Sequence, residues 1–106
     1  MAEATNGRLR YRVVYSELVR RHTRQLVLRA RELGVSGEVI AAIKKINDLL
    51  ERYPKFGDPL QELVLESAQE WMVTVPPLVV KYIVNDARRL VMVVTPFAPL
   101  PDTGLN

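Results

Sequence analysis

Cysteine is absent from the 106 residues and histidine occurs once. Without cysteine there is no disulfide and no thiolate metal ligand. With His22 alone there is no imidazole cluster for zinc and no second histidine for a proton relay, so no metal site is expected. No apolar run reaches the roughly 18 residues that span a bilayer. The opening MAEATNGRLR lacks the apolar core of a signal peptide, which leads us to expect a cytoplasmic protein. A glycine-rich phosphate loop, a metal-ligating cluster and a nucleophile–base pair are also missing, so nothing implies a cofactor or the enzyme classes built on them. Glu62, Glu66 and Glu70 recur every four residues, but they straddle an expected strand and turn and read as solvated.

What is present is an uneven charge. Residues 1–55 hold twelve Lys or Arg against six Asp or Glu, and residues 56–106 hold three against six. A basic half joined to a mildly acidic one suggests a polyanion or an acidic protein as partner. A basic helix face that is merely solvated would carry the same charge.

The chain is organised around WMVTVPPLVVKYIVNDARRLVMVV, residues 71–94. It reads as three β-runs, 71–75, 78–84 and 90–94, broken by Pro76-Pro77 and Asn85-Asp86. Valine, isoleucine and aromatic residues dominate them, the side chains that suit a buried pleated surface. Connections this short exclude crossover helices, so neighbouring runs should pair antiparallel as a meander.

Upstream, residues 8–15 alternate, with Leu9, Tyr11, Val13 and Tyr15 on one face and Arg8, Arg10, Arg12 and Val14 on the other. Period-2 alternation predicts a half-buried strand, its arginines either a charged edge or a binding row. Ser16 should cap a helix over 17–33 that ends at Gly34. Its apolar stripe is Leu18, Val19, His22, Leu26, Ala30 and Leu33, which makes His22 a packed core residue. Arg20, Arg24 and Arg31 lie nearly opposite. Ser36 should cap a second helix over 37–53, with the stripe Val39, Ile40, Ile43, Ile46, Leu50 and Tyr53, and with Lys44 and Lys45 pointing elsewhere. So short a connection makes an antiparallel hairpin. Pro54 ends it, FGDPL forms a loop, residues 61–66 are a short strand or lead-in, and 67–69 a turn.

Residues 1–7 read as a disordered leader and 96–106 as an irregular proline-rich tail. The expectation is one α+β domain over residues 1–106, with an N-terminal strand, an antiparallel helix hairpin, then an antiparallel β-meander. The helices should cover one face of a sheet of about four strands.

This order, with the opening strand YRVVYS, the helix hairpin, Pro54 and the FGDPL loop, resembles the RelE/ParE toxins of type II toxin–antitoxin systems. PLVVKYIVND is similar to the third strand of that family, with Tyr82 at its tyrosine. The resemblance covers residues 9–94. It implies a small basic protein held inactive by a cognate antitoxin; RelE-like members cut messenger RNA on the ribosome, and ParE-like members inhibit DNA gyrase. Ribonuclease members use basic residues on the exposed sheet face, including a third-strand arginine, an arginine after the last strand, and often a tyrosine in a C-terminal helix.

Here Val79 occupies the arginine position, residues 95–99 contain no cation, and DTGLN cannot form the helix. Lys81 is then the catalytic candidate, with Arg10 and Arg12 beside it. Arg10, Arg12, Arg20, Arg24, Arg31, Lys44 and Lys45 are the candidate contacts to nucleic acid or protein. The resemblance leaves three readings: a toxin acting on ribosome-bound mRNA or another target, a catalytically silent protein- or RNA-binding relative, and an unrelated domain with the same element order. Monomer and homodimer both stay open.

Overall fold

The computed structural model describes residues 10–63 and 68–105. The expected leader, Arg8 and Leu9 of the first strand, and Glu66 and Ser67 lie outside the described residues. Strand β1 is Arg12–Tyr15, helix α1 Glu17–Glu32 and helix α2 Ser36–Arg52; a 3₁₀ turn follows at Pro54–Phe56. Strands β2 (Asp58–Leu63), β3 (Ala68–Val75), β4 (Leu78–Asn85), β5 (Leu90–Val93) and β6 (Ala98–Pro99) complete the order. The domain is α+β, two helices against a six-stranded sheet.

Helix α1 begins where the sequence says it should. Ser16 is extended, and its Oγ accepts the Val19 N–H at 3.2 Å, satisfying one of the free amides of the first turn. At the other end Gly34 takes φ +77°, and the Gly34 and Val35 amides donate to the Arg31 and Ala30 carbonyls. That paired closure satisfies two of the carbonyls that the last turn leaves free. Val35 then serves at once as the end of that closure and as the residue preceding α2. The junction is so tight that Ser36 is already inside the helix, and no side chain caps α2, contrary to the expectation for Ser36.

The meander is present: β3 pairs antiparallel with β4, and β4 with β5. The sheet as a whole is mixed rather than antiparallel, because β1 lies parallel to β5, with Val13 opposite Val91. The order is β1-β5-β4-β3-β2, and β6 continues the lane of β5 beside Leu78 and Val79 of β4. FGDPL is a loop only in part. Asp58 and Pro59 already pair with Met72 and Trp71, a register shift follows at Leu60, and proline is tolerated because β2 is an edge. Ala68 and Gln69, expected in a turn, open β3. The proline-rich tail is likewise not wholly irregular. The Leu100 amide donates to Pro77, beside the cis Pro76-Pro77 bond, and Phe97 and Leu105 are buried.

Alternation decides the two sheet faces. Val73, Leu78, Val80, Tyr82, Val84, Val91 and Val93 point to the helices and form one core with Val19, Ala30, Val39, Ala42, Ile46 and Leu50. The inward face of α1 lies one residue round from the expected stripe, at Val19, Thr23, Leu26, Val27 and Ala30. His22, Leu18 and Leu33 are exposed, which corrects the reading of His22 as a core residue. In α2, Ala42 takes an inward position, while Tyr53, past the last turn, is 65% exposed.

Candidate functional site

The open sheet face was expected to carry chemistry through Lys81. Lys81 is exposed on β4 opposite Met72, with Val79 and Ile83 as its neighbours on the same face of the strand. Arg12 is exposed on β1 opposite Leu90, which in turn pairs with Asn85. The register therefore separates Arg12 from Lys81 by roughly 13 Å along the strands and roughly 10 Å across them. Arg10 is exposed just ahead of β1, further still. A phosphoryl-transfer site needs several charges converging on one phosphate, and these three do not converge.

The helix cations behave differently. A groove of about 480 Å³ opens between α1 and α2, and Arg20, Arg24 and Lys44 stand on its wall. Its floor is Val19, Ile43, Tyr15 and Phe97, with the two rings 6.3 Å apart. The cause is simple geometry: Arg20 and Arg24 are one turn apart, and antiparallel packing brings Lys44 of α2 across from them. Among the described residues no ion pair involves any of the three. Arg31 continues the α1 row roughly 10 Å further on, and Lys45, turned away from Lys44 on α2, does not line the groove.

Two polar groups complete the floor. The Tyr15 hydroxyl donates to Asn47 Oδ1 at 2.6 Å, and Asn47 Nδ2 donates to Glu51 at 3.4 Å. Burial first, and Glu51 second, push the Tyr15 phenol up to about 12. It stays protonated at neutral pH and is a hydrogen-bond donor, not a base. His22 does not line the groove. Among the described residues there is no group of His, Asp and Glu able to hold a metal ion, and no helix long and apolar enough to cross a membrane. The groove thus sets three cations around an apolar floor, an arrangement complementary to an apolar side chain flanked by anions.

Sequence reasoning named the three cations but missed Tyr15, Asn47 and Phe97. The signal for Tyr15 was its place on the inward face of the first strand. Phe97 gave none beyond being a large apolar residue set between prolines.

Tyr82 is also pushed up to about 12, mainly by burial; its hydroxyl donates to the Pro54 carbonyl at 2.6 Å. Both phenols have folded values above their usual 10, so the stability they contribute is complete below pH 10 and is lost as pH rises from 10 to 12. Alkaline titration followed by tyrosinate absorbance and circular dichroism, compared with Tyr15→Phe and Tyr82→Phe, should show these two phenols ionising only as the fold is lost. Ionisation of Tyr15 and Tyr82 near pH 10 with the dichroism intact would contradict the burial.

The chain matches no protein-family model, no curated protein and no solved structure.

Proposed function

We propose that this chain is a partner-binding protein of the RelE/ParE kind, a catalytically silent toxin-like module of the cytoplasm whose helix groove captures an acidic, apolar-anchored segment of a cognate antitoxin. The observation that carries this reading is the groove: three exposed cations without ionic partners among the described residues, set around an apolar floor. A ligand that alternates carboxylates with leucine or phenylalanine satisfies both at once. The toxin-like part of the reading is supported by the element order and by the YRVVYS and FGDPL segments. Against the ribonuclease reading stands the distance of Lys81 from Arg10 and Arg12, which leaves it without a second cation from the first strand.

Attraction between exposed charges is screened beyond about 10 Å at 0.1 M salt, so capture should weaken as salt rises. Like charges forced together at an interface cost several kcal/mol. Replacing Arg20, Arg24 and Lys44 together by glutamate should therefore lower affinity by on the order of 100-fold or more. Selection from a displayed peptide library, followed by calorimetry at low and high salt, tests this. The natural protein should enrich peptides with Asp or Glu three or four residues from an apolar anchor, and Lys81→Ala should enrich the same ones. If the triple variant also selects them, or if the selected peptides carry no acid, the groove is not the site.

A further inference from the structure

A second surface lies where α2 runs out. Tyr53 and Phe56 are 65% and 67% exposed, two large rings left in water in a chain with only seven aromatic residues. They are not on a loose segment. The Tyr53 amide donates to Leu49 at 2.6 Å, the Phe56 amide to Tyr53 at 2.9 Å, and buried Pro54 between them accepts the Tyr82 hydroxyl. Together with Tyr11, Arg52 and Lys55 they line a cleft of about 430 Å³.

The cations around the cleft are interleaved with the rings. Arg52 precedes Tyr53, and Lys55 precedes Phe56; exposed Arg89 has its guanidinium 5.8 Å from the Tyr11 ring centroid. Asp86 accepts the Tyr11 hydroxyl at 2.7 Å and pairs with Lys55; Arg52 pairs with Asp48 at 3.0 Å across a half-exposed contact. These ion pairs orient the basic side chains without cancelling the surplus of positive charge. Exposed pairs of this kind hold by at most about 1 kcal/mol, so an incoming phosphate can displace them.

We propose that this cleft is a stacking platform for single-stranded nucleic acid, with bases on Tyr53 and Phe56 and phosphates on Arg52, Lys55 and Arg89. The chemistry selects this ligand over an acidic protein. A nucleotide repeat brings one flat π-face and one anion per unit, matching rings and cations that alternate along Arg52–Phe56, whereas an acidic peptide offers a flat face only where it carries an aromatic residue. Stacking is sequence-tolerant, because every base has a face. The platform is separate from the helix groove: Tyr11 stands before the start of β1 and Tyr15 at its end, roughly 13 Å apart along the strand.

The test is fluorescence anisotropy with labelled oligo-dT and oligo-U of about 12 nucleotides, a length within the usual range for such sites, and with a duplex of equal length. Single strands should bind better than the duplex. Tyr53→Ala and Phe56→Ala should each weaken binding by about 5- to 100-fold. Tyr53→Phe and Phe56→Tyr should keep it, since both retain a ring face. Both side chains are exposed, so the alanine variants should fold, which circular dichroism checks. The slope of log K against log salt should be about −2 if three phosphates are neutralised. Unchanged affinity in both alanine variants, equal binding of the duplex, or no binding of either single strand at low salt would overturn the platform. The triple glutamate variant of the helix groove should bind oligonucleotides as the natural protein does. Loss of peptide capture and loss of nucleic-acid binding are thereby separate results.

Discussion

Gly57→Ala should be among the most damaging single substitutions in this protein, lowering stability by roughly 1–3 kcal/mol or more. In a domain of this size that corresponds to a fall in Tm on the order of 10 °C. The reason is space. A Cβ on Gly57 would stand 2.2 Å from the Met72 carbonyl oxygen, 3.0 Å from its carbon and 2.9 Å from the Tyr82 hydroxyl. Gly57 has φ −77° and ψ −159°, a backbone any residue adopts, so the cost comes from the collision and not from conformation. The nearest obstacle is the backbone of a paired strand, which cannot swing aside. Tyr82→Phe should therefore fail to rescue the variant, although it removes one of the crowded atoms. Thermal melts of Gly57→Ala alone and with Tyr82→Phe decide the matter; a Tm within a degree or two of the natural protein would mean that the loop relaxes freely.

Ile46→Ala should cost about 2–5 kcal/mol, the range for emptying a fully buried aliphatic site. Ile46 has no exposed surface, and it sits midway along α2 within the core shared by helices and sheet. Total stabilities of such domains are only about 5–15 kcal/mol, so the variant will be marginal at physiological temperature. Ile43, one turn earlier, is partly exposed on the groove floor and should lose less on truncation, together with part of any groove affinity. Urea midpoints for the two variants provide the comparison. Equal losses would show that the groove is closed in solution and that Ile43 is core after all.

Those two isoleucines also mark how far the sequence could be read. On a helical wheel both belong to one stripe, and 100° periodicity does not say which edge of a stripe faces the sheet. The same ambiguity placed His22 inside α1's apolar face when the inward position next to it belongs to Thr23. The features that depend on local chemistry were legible: Ser16 as a cap, Gly34 as a left-handed exit, the breaks at Pro76-Pro77 and Asn85-Asp86, and the alternation that turns Val13 and Tyr15 inward. What depends on distant pairing was not. Nothing in RVVY or LVMV says that these two segments lie side by side and parallel. Ser36 fails as a cap because the residue before it is already engaged by α1. For the candidate site, Arg20 and Arg24 were readable as one face, while Lys44 joins them only through the way the helices pack. Tyr53 was assigned to the core because its spacing fits, but the chain leaves the helix before that position can be buried.

The parallel contact between Arg12–Tyr15 and Leu90–Val93 has a consequence in time. During synthesis the first strand is made about eighty residues ahead of β5, its neighbour in the sheet among the described residues. At about 5–20 residues per second that is a wait of roughly 4–16 s on the ribosome, with the strand's hydrogen-bonding edge open throughout. An open edge of this kind invites pairing with other nascent chains, and charged side chains are a common defence. Arg10 and Arg12 are exposed on this segment even after folding is complete. Two like charges on the waiting strand disfavour its pairing with a copy of itself, a physical consequence that holds apart from any ligand they bind in the finished protein.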